Sequence, residues 1–466
     1  MKKHKLFLPF LSVFTLFSPK AQSLEISGWP ISVFNNLAPG RSLGNDPVLG
    51  RLACPPVSRF NLETQRSEGL LFKNVAVDAQ GVGSKWTYEM RSGIYWWSGE
   101  PVQSIDFERY IADNLARILD EKGLGLWSLP PFRLETSLQH LTIHWAKKPL
   151  FGPFIFNGES FFRLKSNKAV AFECVGTYVL MDVKEDKFIL KASEKYGVSK
   201  PQEITVAANV LKGSDLSFLA PLEMGEASCA RPVDQAWVTG VAWNPKLVPK
   251  NLRSLLTSAI PRGGLLRQGA LRLGELATTL IPKHHFGYES TIALRKFDLE
   301  YVANSLPGVL AAEKLTQPLT LYIESPLKES IAQKVIEDCF FAVNISVHFV
   351  LPGNIASEKL HGRLVSFIAD SEMNFLEELH SKAKQGPLWS PDSNDLNQAL
   401  EHYAISITQP LPDLTLLKRV HRLLYDLEPV SVFFHHQSCL QSKKPIEMGK
   451  LKLNHPDWFK ILIRTL

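Results

Sequence analysis

The residues in this chain best suited to metal chemistry form two small groups, His435-His436-Gln437-Ser438-Cys439 and the pair His284-His285. An ion needs ligands that converge, whereas adjacent residues on a strand point to opposite faces. Both groups therefore read as structural histidines. The five cysteines, Cys54, Cys174, Cys229, Cys339 and Cys439, are widely spaced, with no C-x-x-C pair. Five is odd, so at least one thiol is free or pairs between molecules. The reading is of scattered, half-buried cysteines with room for one bridge. No G-x-S-x-G, Walker loop, H-E-x-x-H or G-x-G-x-x-G occurs. Gly263-Gly264 before Leu265 reads as a turn between helices. The carboxylates show no distinctive pairing, which leaves an exported hydrolase without a candidate nucleophile, and no cofactor is expected. Aromatic side chains remain. Trp86, Trp96, Trp97, Trp145, Trp237, Trp243 and Trp389 could each stack on a sugar or peptide, with core packing as the default for each. Trp243 and Trp389 are the better cleft candidates: the first lies near an expected chain crossing, the second in a Pro/Ser-rich loop.

The chain must position such residues with 466 positions, too many for one ordinary core, so two or three domains are expected. Its 45% hydrophobic and 21% charged content is that of a globular protein. The 52 basic residues face 46 acidic ones without forming a basic block, which argues against a nucleic-acid partner. At the N-terminus Lys2, Lys3, His4 and Lys5 precede an apolar run from Leu6 to Phe17, then Ala21-Gln22-Ser23. Roughly twelve apolar-dominated positions fall short of the ~20 that a spanning helix needs, so the segment reads as a signal peptide cleaved near Ser23. Export is the expectation.

Period-two alternation at Trp86, Tyr88 and Met90 predicts a strand, and Ile94 to Trp97 a second one between two turns. Ser104, as N-cap, opens a helix to Leu119. Leu138 to Trp145, Thr177 to Val183, Lys187 to Ala192 and Glu203 to Ala207 read as strands of a mixed sheet. Extended chain is expected at Ile31 to Phe34. Helices are predicted at Leu252 to Ile260 and at Arg295 to Leu306, the latter closed by Pro307-Gly308. Leu319 to Ile323, Lys328 to Phe341 and Ile345 to Val350 form a βαβ unit, which implies parallel strands. Asp395 to Ile407 and Thr415 to Leu427 follow as helices, and Val430 to His435 as a strand returning to an earlier sheet.

Tyr88, Met90, Arg91 and Gly93, then Trp96, Gly99, Pro101, Val102, Asp106 and Phe107, resemble the "Y-x-F-x-L-R-x-G" and "W-x-x-G-x-P" patterns of the family 5 extracellular solute-binding proteins. Weaker echoes keep the same order: Val175 to Tyr178, Val241 to Lys246, Leu252 to Arg262, Ile281 to Tyr288 and Lys334 to Val350. The resemblance implies an α/β, two-lobed periplasmic-binding-protein-like fold of class II, three-subdomain type, with a hinge and an interlobe cleft. The implied boundaries are a first lobe at 24–245 with an inserted subdomain at about 60–165, a second lobe at 246–430, and a return to the first lobe at 431–466. It also implies a short peptide as ligand, the permease subunits of an ABC importer as partners, a periplasmic location with membrane contact only through that transporter, and a monomer. In peptide-binding members an aspartate beside an aromatic accepts the peptide ammonium. Asp370 and Phe367 match those two positions, although Ser371 replaces a tyrosine and two residues including a proline are missing. Asp370 could equally cap a helix at Asn374 to Leu379. Asn244 matches the "F-N" segment near the interlobe crossing. A sensory or interaction protein that keeps the fold is the second reading, and a metal- or haem-complex binder a minor one.

Overall fold

The computed structural model describes residues 23–27 and 49–442, apart from 62–63, 122–128, 166–171, 185, 197–200, 209–213, 220–235, 269–273, 284, 286, 327–329, 370–373, 383–387 and 438. The expected signal segment, Ile31 to Phe34, His284 and Asp370 lie outside the described residues.

Strand β1 (Ser23–Ser27) precedes a hairpin, β2 (Ser58–Asn61) and β3 (Arg66–Gly69). β4 (Phe72–Gln80), β5 (Gly83–Met90), β6 (Phe132–Thr136) and β7 (His140–Trp145) form an antiparallel sheet in the order β4-β5-β7-β6, with helix α1 (Ser104–Glu121) between β5 and β6. The alternation read in β5 is real: Trp86, Tyr88 and Met90 are buried. Ile94 to Trp97 is a tight loop rather than a strand. The Trp96 N–H donates to the Glu100 carbonyl (2.9 Å) and Gly99 turns at φ +86°, a left-handed conformation that glycine adopts freely. Ser104 does not cap α1; its hydroxyl donates to the Ser137 carbonyl. Asp106 caps instead, its carboxylate accepting from the Gln103 N–H (2.9 Å) and the Trp96 indole (3.3 Å).

A short hairpin, β8 (Phe162–Leu164) and β9 (Phe172–Cys174), leads into β10 (Tyr178–Val183), β11 (Lys187–Ala192), β12 (Glu203–Ala207) and β13 (Leu216–Leu219). A disulfide joins Cys54 to Cys174. The chain then builds a second sheet from β14 (Ala236–Trp243), β15 (Gly274–Leu276), β16 (Leu319–Glu324), β17 (Ile345–Val350), β18 (Gly362–Ala369) and β19 (Val430–Gln437). β20 (Cys439–Ser442) returns to the first sheet, whose order is β10-β11-β12-β1-β13-β20; the second runs β15-β19-β14-β18-β16-β17. The sheets thus exchange the chain before Ala236 and after Gln437, one strand away from the boundaries expected at 245 and 430.

Helices cover the second sheet on both faces. α2 (Lys250–Ala259), α3 (Arg262–Gln268), α4 (Leu299–Ala312) and α5 (Ile331–Phe341) supply one core, with Leu252, Leu256, Val302, Leu306 and Phe340 buried beside Leu321 and Ile323. α6 (Asn394–Ile407) and α7 (Thr415–Leu427) supply the other. The βαβ unit is present: β16 and β17 pair in parallel around α5. The helix predicted at Arg295 to Leu306 starts instead at Leu299, where Asp298 caps it (2.8 Å to the Tyr301 N–H), and runs through Pro307. Val302, Leu306 and Leu310 make one buried stripe, and that burial outweighs the local cost of proline.

Candidate ligand cleft

The two sheets meet where the chain crosses between them. In the first, Leu219 of β13 pairs with Cys439 of β20; in the second, Ala236 of β14 pairs with Gln437 of β19 and with Ala369 of β18. A single residue, Ser438, separates Gln437 from Cys439. β12, β1 and β13 are parallel, so their carboxyl ends all point to this crossing. β18 also ends there. Open α/β sheets take ligands in the crevice outside the carboxyl ends of their strands, and domain interfaces are favoured sites.

Ala369 is the last described residue before Asp370, which puts the strand leading to Asp370 at the crossing. Phe367 lies two residues earlier on β18, opposite Val238, half-buried against the core of α6 and α7. Trp389 packs on that same core. The Arg363 guanidinium lies over its ring, 4.4 Å from the centroid, and pairs with Glu324 at 2.8 Å. Phe367 and Trp389 therefore share one face of the second sheet. The segment Asn374–Leu379 is a 3-10 helix with Leu376 and Leu379 in that core.

Trp243 and Asn244 are elsewhere. Trp243 is wholly buried on the opposite face, and its indole N–H donates to Ser431 Oγ (2.6 Å). The Asn244 amide donates to the Leu360 carbonyl (3.0 Å) and accepts from the Lys246 N–H (3.1 Å). Both are structural. β14 enters the second sheet at Ala236, so Trp243 stands at its far end, seven residues or roughly 23 Å from the crossing. The expected crossing was placed one strand too late, and both residues were carried away with it.

Of the remaining tryptophans, Trp86, Trp96 and Trp145 are core residues, as the default reading had it. His285 and His435 are buried, and among the described residues no three His, Cys, Asp or Glu side chains gather to hold a metal. Sequence reasoning missed Arg363, for which no motif speaks. It also missed a solvent-open cavity of about 190 Å³ in the first lobe, lined by Pro55, Pro56, Arg59, Leu71, Val175 and Tyr196 among others. Pro55 and Val175 in its wall follow directly after Cys54 and Cys174, so the disulfide brings these two stretches of the lining together, a pairing that no sequence spacing announces. The lining comes wholly from the first half of the chain, and the cavity is not the interlobe crevice. No helix among the described residues is long and apolar enough to cross a membrane.

No protein-family model and no curated protein matches the sequence. Solved structures do match in fold. The oligopeptide-binding protein AppA from Bacillus subtilis, in complex with a nonapeptide, superposes with a TM-score of 0.68 at 12% identity over 94% of this chain and 97% of that one. NikA from Staphylococcus aureus, in complex with Ni(L-His)2, gives 0.66 at 15% identity over 91% and 95%. The ABC transporter-associated periplasmic binding protein DppA from Helicobacter pylori, in complex with the peptide STSA, gives 0.65 at 12% identity over 93% and 96%. Likeness across nearly the whole of both chains fixes the architecture as the two-lobed one.

Proposed function

We propose that this chain, which has the fold of the family 5 extracellular solute-binding proteins, captures a short peptide between its lobes and delivers it to the permease subunits of an ABC importer. It is a binding protein rather than an enzyme, exported to the periplasm after cleavage near Ser23. The observation that supports the site is the register of β18. It ends at Ala369 on the crossing, with Phe367 half-buried and Asp370 next in sequence. An aspartate there offers a peptide ammonium a charge-assisted hydrogen bond, and an extended backbone supplies the rest of the affinity whatever the side chains. AppA and DppA, whose bound ligands are peptides, share the fold, but so does NikA, whose ligand is Ni(L-His)2, so the choice of a peptide rests on the match of Asp370 and Phe367.

Titration of pure protein with di- to pentapeptides, followed by calorimetry or a melting shift, tests the reading. Asp370→Ala should weaken binding about tenfold to a hundredfold, the worth of one hydrogen bond to a charged group. N-acetylated peptides should lose as much against the native protein and nothing further against the variant. Equal affinity of native protein and Asp370→Ala for the same peptide would remove Asp370 from the site.

A further inference from the structure

The lobes touch at a second place besides the crossing strands. Residues 150–157 of the first lobe, with Ser67 of β3, lie against the C-terminal end of α6. The Gly152 N–H donates to Thr408 Oγ1 (2.7 Å) and the Phe154 N–H to the Thr408 carbonyl (2.9 Å). Asn157 Nδ2 donates to the Ile407 carbonyl (3.1 Å), and the Ser67 N–H to the Pro410 carbonyl (3.3 Å). Gly152, Phe154, Asn157 and Thr408 are all buried. The last carbonyls of a helix have no partner within it, and here the other lobe satisfies them. The packing interlocks as well. Phe60 of β2 is 3% exposed inside the core that α6 and α7 make, while Ala404 of α6 packs against the core of the first lobe. A Cβ on Gly152 would stand 2.4 Å from the Thr408 carbonyl, so only glycine allows so close an approach.

We propose that this contact is an interlobe latch, resisting separation of the lobes and setting part of the free energy of opening the cleft. The inference rests on the reading of two lobes that move about a shared crevice. Rotation about two crossing strands alone would draw Thr408 away from Gly152 and Phe154, strand buried backbone groups, and expose Phe60. The affinity of a ligand that needs the closed arrangement falls with the fraction of molecules in it. Affinity then depends on residues at 152–157 and 407–410 that never meet the ligand.

Two variants attack the latch from opposite sides. Gly152→Ala drives a methyl wedge into the Thr408 carbonyl; Thr408→Val removes the Oγ1 that receives the Gly152 N–H. Each is measured ligand-free by small-angle X-ray scattering and by amide exchange over residues 150–157, with circular dichroism to establish folding. Both should keep the native spectrum, exchange faster at Gly152 and Phe154, and gain about 1 Å over the ~22 Å radius of gyration expected for a chain of this size. Faster exchange without any expansion would reduce the contact to local packing and overturn the proposal, as would expansion in neither folded variant. If Gly152→Ala fails to fold, Thr408→Val alone decides. No ligand enters these measurements, so they stand even if every peptide titration fails.

Discussion

In the first lobe, Cys54 and Cys174 are joined across 120 residues of sequence. Around them Trp96 stacks on Phe161 at 4.9 Å, and Phe107, Tyr110 and Phe156 close a ring cluster over α1. The second lobe holds its corresponding joint, where α2 meets α7 and β19, with buried polar groups. The Arg253 guanidinium, 3% exposed, donates to the Leu427 carbonyl through Nε (3.0 Å) and one terminal nitrogen (2.7 Å), and to the Val248 carbonyl through the other (2.8 Å). Glu428, in a left-handed conformation at φ +48°, pairs with Arg295 (2.8 Å) and accepts from Ser254 Oγ (3.1 Å). Burial pushes the Glu428 carboxyl up, against the pull of Arg295, and pushes Arg253 down. A covalent staple acts chiefly by restricting the unfolded chain, whatever the pH. A polar staple stabilises only while every partner is present, because losing one strands the others.

The largest expected effect breaks the covalent side. Replacing both cysteines, Cys54→Ser with Cys174→Ser, should cost about 4–5 kcal/mol, the loop-closure value for a loop of this length. Denaturant unfolding of the oxidised and mutated proteins measures it. A loss under 1 kcal/mol would mean that the aromatic cluster alone holds the lobe. On the polar side, Arg253→Met should cost about 3–4 kcal/mol by leaving the Leu427 and Val248 carbonyls buried and unpaired. Arg253→Lys should recover little of it, since one ammonium cannot reproduce a planar fork aimed at two carbonyls.

How much of this was legible follows from how local each signal is. The βαβ unit from Leu319 to Val350 was readable because strand and helix periods follow each other within 32 residues and nothing outside contradicts them. The turn between Gly93 and Asp106 was readable in outline from glycine, proline and aspartate spacing, though the loop at Ile94 to Trp97 took the guise of a strand. Pro307 misled because the stripe that overrides it is rewarded only by packing against α2 and the second sheet. Trp243 misled because aromatic type says nothing about which end of a strand faces a cleft. The pairing of Cys54 with Cys174, the bonds from Arg253 to the Leu427 carbonyl and the contact of Thr408 with Gly152 join residues at least 120 apart. No spacing rule reaches that far.

A pH titration sharpens the contrast between the staples. His421 on α7 is wholly buried; its Nδ1 accepts the Glu289 N–H (2.8 Å), and Tyr288 packs on its ring. Burial pulls its pKa down to about 4, opposed only partly by the charge of Glu289, itself paired with Arg422 at 2.8 Å. The folded state thus favours the neutral ring. The contribution is complete above the ordinary value near 6.5 and drains away as pH falls towards 4, amounting to about 3 kcal/mol. In His421→Gln the amide oxygen can still accept the Glu289 N–H but cannot titrate. Stability measured from pH 7 to pH 4 should fall less steeply in that variant than in the native chain. Parallel curves would show that the buried ring is not the proton acceptor.

The smallest effect belongs to the turn on which the sequence reading leaned most. Asp106 ties two elements with one oxygen, accepting from the Gln103 N–H that opens α1 and from the indole of Trp96, which is 1% exposed. Asp106→Ala should cost about 1 kcal/mol, the usual worth of a helix cap, because water can reach the exposed Gln103 N–H and substitute for the carboxylate there. Trp96 has no such recourse, so its environment should report the loss more sharply than stability does. A shift of tryptophan fluorescence with a nearly unchanged melting temperature is expected. Asn at position 106 keeps an acceptor oxygen and should restore the fluorescence while leaving the few tenths that the negative charge contributes at a helix N-terminus unrecovered. If Asp106→Asn behaves as Asp106→Ala in both readouts, charge rather than the hydrogen bond to Trp96 joins the turn to the helix. The first lobe would then lean on electrostatics as the second does, and the contrast between the two would narrow to the disulfide.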